Sequence, residues 1–413
     1  MRRVRRPAKS CSSQPSGIKA GWVKNPACLF SFSKVVFSCL SASPPGGVFF
    51  NHQIFQIMFF KKNLFNYLLA LSALVLFFGS CKKDDDGPNF PDTYTNGVFV
   101  LNQGNFNRAN ASVSFYKSAD KSTESGIFKK VNGRAPGDVL QSMTVYDDKA
   151  YLVVNNSNKI EIVDEKSFQA LGTITGLALP RYVLVLNEDK AYVSQWGDGI
   201  LPSGVAVINL RTHSIEKIIE TGEGAEKMLL ENGKLYVCNS GGLSADETVA
   251  VVNTDTDEVE KRIKVSDGPS QIESAHGSIW VLCAGLFDAT TGGFTDGALA
   301  RINADTLTAK ITIPNFPQNM VKKSGASVTD LYFAVFDGLY KASVVSGVAG
   351  VPLPVKVNST SYYGLGVEPA TGRLFAADAK DFQSNGEVYI LNENGSAVDS
   401  FDVGIAPGYF WFQ

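Results

Sequence analysis

The sequence predicts an all-β protein, a seven-bladed β-propeller of four-stranded antiparallel blades whose ring is closed by the C-terminal strand. Three observations carry this. Apolar and polar residues alternate with period two in many short runs, the signature of strands with two different faces. A phrase of strands and turns recurs seven times between residues 96 and 413, at the roughly 45-residue spacing of propeller blades. The repeating region opens with a blade that lacks its innermost strand and closes with a strand that has no blade.

Composition sets the frame. The 413-residue chain is 44% hydrophobic and carries 38 glycines, 27 phenylalanines and 14 tyrosines, enough for a large core with many turns. Its formal charge of −2 hides an asymmetry. The first 80 residues hold ten Lys/Arg and no Asp/Glu, which leaves 28 basic and 40 acidic residues beyond them. The body is therefore acidic, and nucleic acid is not expected as a partner, because phosphate backbones need a basic surface.

Taken from the N-terminus, residues 1–57 are basic, Ser-rich and aperiodic, and they precede a complete signal sequence that begins at Met58. The expectation is that translation starts at Met58 and that 1–57 is a mis-assigned, unstructured start. Residues 58–80 read as a signal peptide: Lys61 and Lys62 precede an apolar stretch from Leu64 to Phe78, too short to span a membrane and followed by small residues. Phe78-Gly79-Ser80-Cys81 resembles a bacterial lipobox, although the usual Leu is replaced by Phe78. That resemblance implies acylation of Cys81 and stable anchoring by two or more chains. Lys82-Lys83-Asp84-Asp85-Asp86 resembles the surface-export signal of Bacteroidetes lipoproteins. Residues 81–95 are then a polar, Pro- and Asp-containing lipidated tether.

The repeats follow. The first strand of each phrase is GVFVLN (97–102), KAYLVVN (149–155), KAYVSQW (190–196), KLYVCN (234–239), SIWVLCAG (278–285), DLYFAVF (330–336) and RLFAADA (373–379). The second is ASVSFYK, KIEIVD, GVAVINL, TVAVVN, ALARINA, GLYKAS and EVYILN. Between phrases lies a segment opened by Gly or Pro, such as LPRYVLVL, GAEKMLL, GPSQIESA or FPQNMVKK, read as the innermost strand of the next blade. The terminal GIAPGYFWFQ (404–413) has the same opening and should pair into blade one, removing the exposed edges that an open ring would leave. Blade six (328–357) is the weakest, its later strands interrupted by Gly and Pro. Of six cysteines only Cys238 and Cys283 lie in the body. Both end apolar runs and read as small buried side chains at equivalent blade positions, a disulfide between them being the alternative.

In a propeller the loops after these first strands and the loops opening the innermost strands emerge on one face, around the channel. Here the former are long: 103–110, 197–203, 240–247, 286–297 and 380–386. Long loops on a rigid scaffold are where binding sits. Together the two sets supply Phe106, Arg108, Arg134, Arg181, Tyr182, Trp196, Phe287, Phe316, Tyr363, Phe382 and Tyr409 as candidate ligand-binding residues. Rings with a few donors suit a flat amphipathic small molecule. No catalytic constellation is visible. His213 and His276, the two histidines of the body, fall in turns expected on the opposite face. Asp198, Asp246, Glu247, Asp288, Asp296, Asp378 and Asp381 could flank a sugar or hold Ca²⁺, but read first as solvated loop acids. The sequence calls for no metal, no cofactor and no enzymatic activity.

KLYVCN and TVAVVNTDTDEV resemble YVTN-type propeller repeats. VFVLNQGNFNRANASVSFY, VNGRAPGDVLQSM, VVNNSNKIEIVD and LPRYVLV together resemble a family of Bacteroidetes lipoprotein propellers found in vitamin B12 uptake loci. The resemblance implies an outer-membrane, cell-surface lipoprotein that captures a corrinoid (cobalamin) and passes it to a TonB-dependent transporter, the membrane being touched through the lipid anchor alone. Other readings stay open: a periplasm-facing protein, a protein- or glycan-binding adhesion propeller, or a metal-dependent propeller lyase or lactonase. No corrin-contacting residue is assigned by motif; Phe106, Arg108, Arg181, Tyr182 and Trp196 are the leading candidates, as stacking faces and as donors to amide or phosphate oxygens.

Overall fold

The computed structural model describes residues 93–413. The expectations for 1–57, for the signal sequence 58–80, for Cys81 and for the tether up to residue 92 lie outside the described residues. The body forms seven four-stranded antiparallel sheets, each ordered from the channel outward. The innermost strands of blades one to seven are Pro407–Phe412, Leu140–Tyr146, Pro180–Val185, Ala225–Glu231, Pro269–Ala275, Gln318–Lys323 and Gly364–Val367. Each packs beside the next all the way round, blade seven against one and one against two, so the ring is closed.

Closure takes the expected form. The last strand pairs with Val98–Asn102, with Val98 opposite Phe412 and Val100 opposite Phe410. Every blade is thus a complete sheet although the chain starts in the second strand of blade one.

The core is divided into seven slabs, one in each gap between neighbouring blades. This explains the sequence pattern in detail. A second strand such as Lys149–Val154 is covered by both neighbours and is buried at all but its first residue, so it reads as a nearly unbroken apolar run. An outer strand such as Thr306–Ile313 alternates exposed and half-buried positions. Cys238 and Cys283 lie on second strands of blades four and five within one slab, buried and both free thiols.

Three features depart from the sequence reading. Tyr94, assigned to the tether, is buried against Phe115 and Phe168 and donates to Glu124, so the propeller starts before residue 96. A six-residue helix, α1 (Ile127–Asn132), links blades one and two; left-handed Gly126 and Gly133 bound it, and Ile127 and Phe128 bury its inner side. Blade six is less broken than its composition suggests. Its second and third strands, Val328–Val335 and Gly338–Val345, meet at a two-residue turn, and the interruption is confined to 346–354.

Candidate functional site

One backbone device repeats around the upper face. The residue just before or near the start of six innermost strands is left-handed: Val139, Leu179, Gly224, Gly268, Phe316 and Ala406. In five of these blades the carbonyl of that residue accepts from the first residue beyond the second strand's ladder. The bonds are Asn155 N to Val139 O (2.8 Å), Trp196 N to Leu179 O (3.2 Å), Ser240 N to Gly224 O (2.8 Å), Ala284 N to Gly268 O (2.8 Å) and Gln103 N to Ala406 O (2.9 Å). Left-handed backbone is uncommon outside glycine and costs of order 1 kcal/mol, so its recurrence at Val139 and Leu179 marks a constrained rim.

The innermost strands then bulge at this same end. The ladder skips at Gln141 in blade two, Arg181–Tyr182 in three, Glu226–Lys227 in four, Ser270 in five, Asn319–Met320 in six and Gly408 in one. A bulge frees residues from pairing and re-aims their side chains. All of these bulged residues line a single cavity of about 600 Å³ at the mouth of the channel, within the size range of small-molecule sites. Tyr363 and Leu365 of blade seven complete the wall.

The polar wall is cross-linked between blades. Arg181 donates from Nε to Glu226 Oε1 (3.1 Å) and from Nη1 to Gln141 Oε1 (2.6 Å). Trp196 Nε1 donates to the same Glu226 oxygen (2.9 Å), and the Arg181 guanidinium sits 4.3 Å above the indole. The indole also abuts Gly242, where a Cβ would come within 3.1 Å of the ring. Trp196 is therefore clamped, and it holds Arg181 in place rather than offering a free stacking face. Burial pushes the Glu226 carboxyl up, against the pull of Arg181. Deeper in, Lys227 Nζ meets Glu273 Oε1 at 2.8 Å and Lys322 Nζ meets Glu273 Oε2 at 3.3 Å. Burial alone would raise the Glu273 carboxyl, but the two ammoniums more than reverse it and hold it below its ordinary value. Tyr363 donates to Gln103 Oε1 at 2.7 Å, and burial pushes the Tyr409 hydroxyl up to about 12, so it stays a donor at neutral pH.

Above this polar tier stands an apolar crown. Phe106, Ile200, Leu243, Phe287, Phe336 and Phe382 are exposed on the loops that follow the second strands of six blades. On the side of blades five and six the rings touch: Phe294 lies 5.5 Å from Phe287, 4.1 Å from Phe316 and 5.9 Å from Phe336. Phe287 and Phe294 face each other in a small hairpin, Phe287–Asp288 against Gly293–Phe294.

Of the eleven expected binding residues, Arg181, Tyr182, Trp196, Phe287, Phe316, Tyr363 and Tyr409 line the cavity. Phe382 sits just outside, edge-on to Tyr363 at 4.9 Å, with Asn105 Nδ2 donating to its carbonyl at 2.7 Å. Phe106 and Arg108 are exposed on the adjoining loop, outside the lining. Arg134 is committed elsewhere: it forks onto Glu161 with two 2.8 Å bonds and lies over Phe128. Gln103, Gln141, Glu226, Lys227 and Gln271 also line the cavity and were missed. A signal was available for two of them: Glu226 and Gln271 each stand two positions past the Gly224 or Pro269 that opens their innermost strand.

The loop carboxylates mostly fold their own loops. Asp198, Asp288 and Asp381 accept from backbone N–H groups two or three residues on, and those bonds hold their carboxyls below the ordinary range. Asp378 accepts from Lys380 N, Asp246 gathers Glu223, Glu247 and Thr248, and Glu247 pairs with Lys264. Among the described residues, no group of three or more His, Cys, Asp or Glu side chains is placed to hold a metal ion. His213 and His276 sit in turns away from the mouth, His276 against Thr329.

Residues 96–412 match the family described as a domain of unknown function, DUF5074. No curated protein matches the chain. Among solved structures, the periplasmic gluconolactonase PpgL of Pseudomonas aeruginosa is similar at TM-score 0.56 and 12% identity, covering 76% of this chain and 99% of that one. A quinonprotein alcohol dehydrogenase-like protein of Bacteroides thetaiotaomicron is similar at TM-score 0.54 and 15% identity, covering 77% and 78%. A functionally unknown protein of Desulfotomaculum acetoxidans is similar at TM-score 0.56 and 12% identity, covering 77% and 99%. At these identities the likeness is one of fold alone.

Proposed function

This chain belongs to the DUF5074 family, and from the geometry of its channel mouth we propose that it is a ligand-capturing propeller that binds one small amphipathic guest. One observation carries the reading: six of the seven innermost strands bulge at the same end and turn their freed residues into one cavity. Bulges weaken a ladder, and six aligned ones are not needed to close a ring. The apolar crown and the amide-rich wall beneath it divide the guest into an apolar body at the rim and a polar end in the channel.

The guest we propose is a corrinoid. Its flat, largely apolar macrocycle suits a rim of phenylalanine rings, and its peripheral amides suit Gln103, Gln141, Gln271 and Asn319. In this proposal an acylated Cys81 holds the propeller at the outer-membrane surface, and a TonB-dependent transporter receives the guest. Titration calorimetry of cyanocobalamin into the purified protein tests it. The expected result is saturable 1:1 binding, weakened about tenfold by Arg181→Ala. Absence of saturable binding at about 10 μM protein removes the corrinoid.

A second reading is favoured by Ile200 and Leu243, whose exposed tips stand on the crown outside the cavity lining. They suit a protein partner or a glycan laid across the crown. Charge changes inside the cavity would then leave binding intact, whereas Leu243→Ser and Ile200→Ser would weaken it.

A further inference from the structure

We infer that the end of the guest that enters the channel carries an anionic oxygen group, a phosphate or a carboxylate, seated beside Lys227. The inference rests on the mouth being a ligand site. From the rim to the middle of the channel, the innermost strands contribute three cations, Arg181, Lys227 and Lys322, and two carboxylates, Glu226 and Glu273. Arg181 is matched by Glu226, while one carboxylate, Glu273, serves both lysines. One positive charge is left over on the channel wall of an otherwise acidic body.

That charge is poorly hydrated, since the Lys227 side chain is 25% exposed and that of its partner Glu273 is 18% exposed. A cation taken from water without a full counter-charge is costly, and an anion placed beside it relieves the cost. The two lysines are not equivalent. Lys322 also donates to Ser274 O at 2.9 Å, whereas Lys227 lines the cavity. The phenols of Tyr182 and Tyr409, both in the lining, lie within electrostatic reach of Lys227. The bonds from Arg181 to Glu226 and Gln141 use Nε and Nη1 and leave Nη2 for a guest. A cavity with an ammonium that shares its one counter-charge with a second lysine, a fixed guanidinium and protonated phenols selects oxygen anions over neutral or cationic heads.

The test uses two probes with the same tail, hexyl phosphate and hexyl glucoside, titrated calorimetrically into the purified protein. The expected result is at least about tenfold tighter binding of the phosphate. Lys227→Met is expected to erase that preference, bringing the two probes to within about twofold of each other, since Glu273 keeps Lys322 as its partner. Glu273→Gln, which leaves both lysines in place and removes their counter-charge, is expected to widen the preference. Melting curves confirm that each variant is folded, and Glu273→Gln decides the matter if Lys227→Met is not. Equal affinity for the two probes, or a preference untouched by both substitutions, overturns the anion inference and leaves the mouth a ligand site. Failure of both probes to bind saturably overturns the anion inference and the ligand site together.

Discussion

Replacing Phe410 with alanine tests how much the closing strand contributes. Phe410 is 6% exposed. It fills the slab between blades seven and one, 6.1 Å from Phe375 and 6.2 Å from Phe412, among Val98, Val100 and Phe401. Across the gap stands Gly366, where a Cβ would come within 2.9 Å of Phe410, so the strands are too close for the site to collapse much further. Phe→Ala in such a core costs about 3–5 kcal/mol, a transfer term plus a cavity term. Unfolding entropy of roughly 2.1 cal/mol/K per residue over roughly 320 residues gives about 0.7 kcal/mol per degree. The melting temperature should therefore fall by about 4–7 °C, read by calorimetry at neutral pH. Trp411→Ala is the control: Trp411 is only half-buried on the same strand, so its loss should be smaller. A fall of less than about 1 °C for Phe410→Ala would mean that the C-terminal strand does not close the ring.

Two further changes probe the scaffold and the rim. Glu161 is buried and bonded by Arg134 (2.8 Å), Lys159 (2.5 Å) and Thr173 (3.2 Å); burial raises its carboxyl, but the two cations more than reverse this and hold it below 4.5. Its contribution is therefore present above pH 4.5 and lost as pH falls through the depressed value. Because Arg134 is half-exposed, Glu161→Gln should cost about 2 kcal/mol at pH 7, and melting curves should converge with the parent in acid. Gly224 is left-handed at φ +64°, and a Cβ there would stand 2.0 Å from Gly242 N. Gly224→Ala should cost about 2 kcal/mol or more and uncover Trp196, giving a lower melting temperature and red-shifted tryptophan emission.

The blade count, the strand order and the closing strand were legible because they follow from burial. Second strands sit between two blades and read as apolar runs, outer strands alternate, and GIAPGYFWFQ announces a strand with no blade of its own. The face carrying the cavity was legible too, since topology alone brings the two sets of loops together. What stayed hidden depends on partners distant in sequence. Arg134 reads like Arg181 in one dimension, yet one finds Glu161 on its own blade and the other finds Glu226 and Gln141 across two gaps. Trp196 looks like a stacking platform until Gly242 is seen against its ring. Val139, Leu179 and Ala406 have no residue type that signals left-handed backbone, so the bulged rim could be suspected only at Gly224 and Gly268. Helix α1 is short enough that its six residues carry no periodicity.

Hydrogen–deuterium exchange of the purified protein, with and without saturating cyanocobalamin, addresses the mouth most directly. Slowed exchange is expected in peptides covering 181–182, 226–227, 270–271, 319–320 and 408–409, with the loops around Phe287 and Phe382 following. Slowing confined to the opposite-face turns at 254–257 and 303–306, or none at any peptide, would contradict the assignment of the cavity as the place of capture.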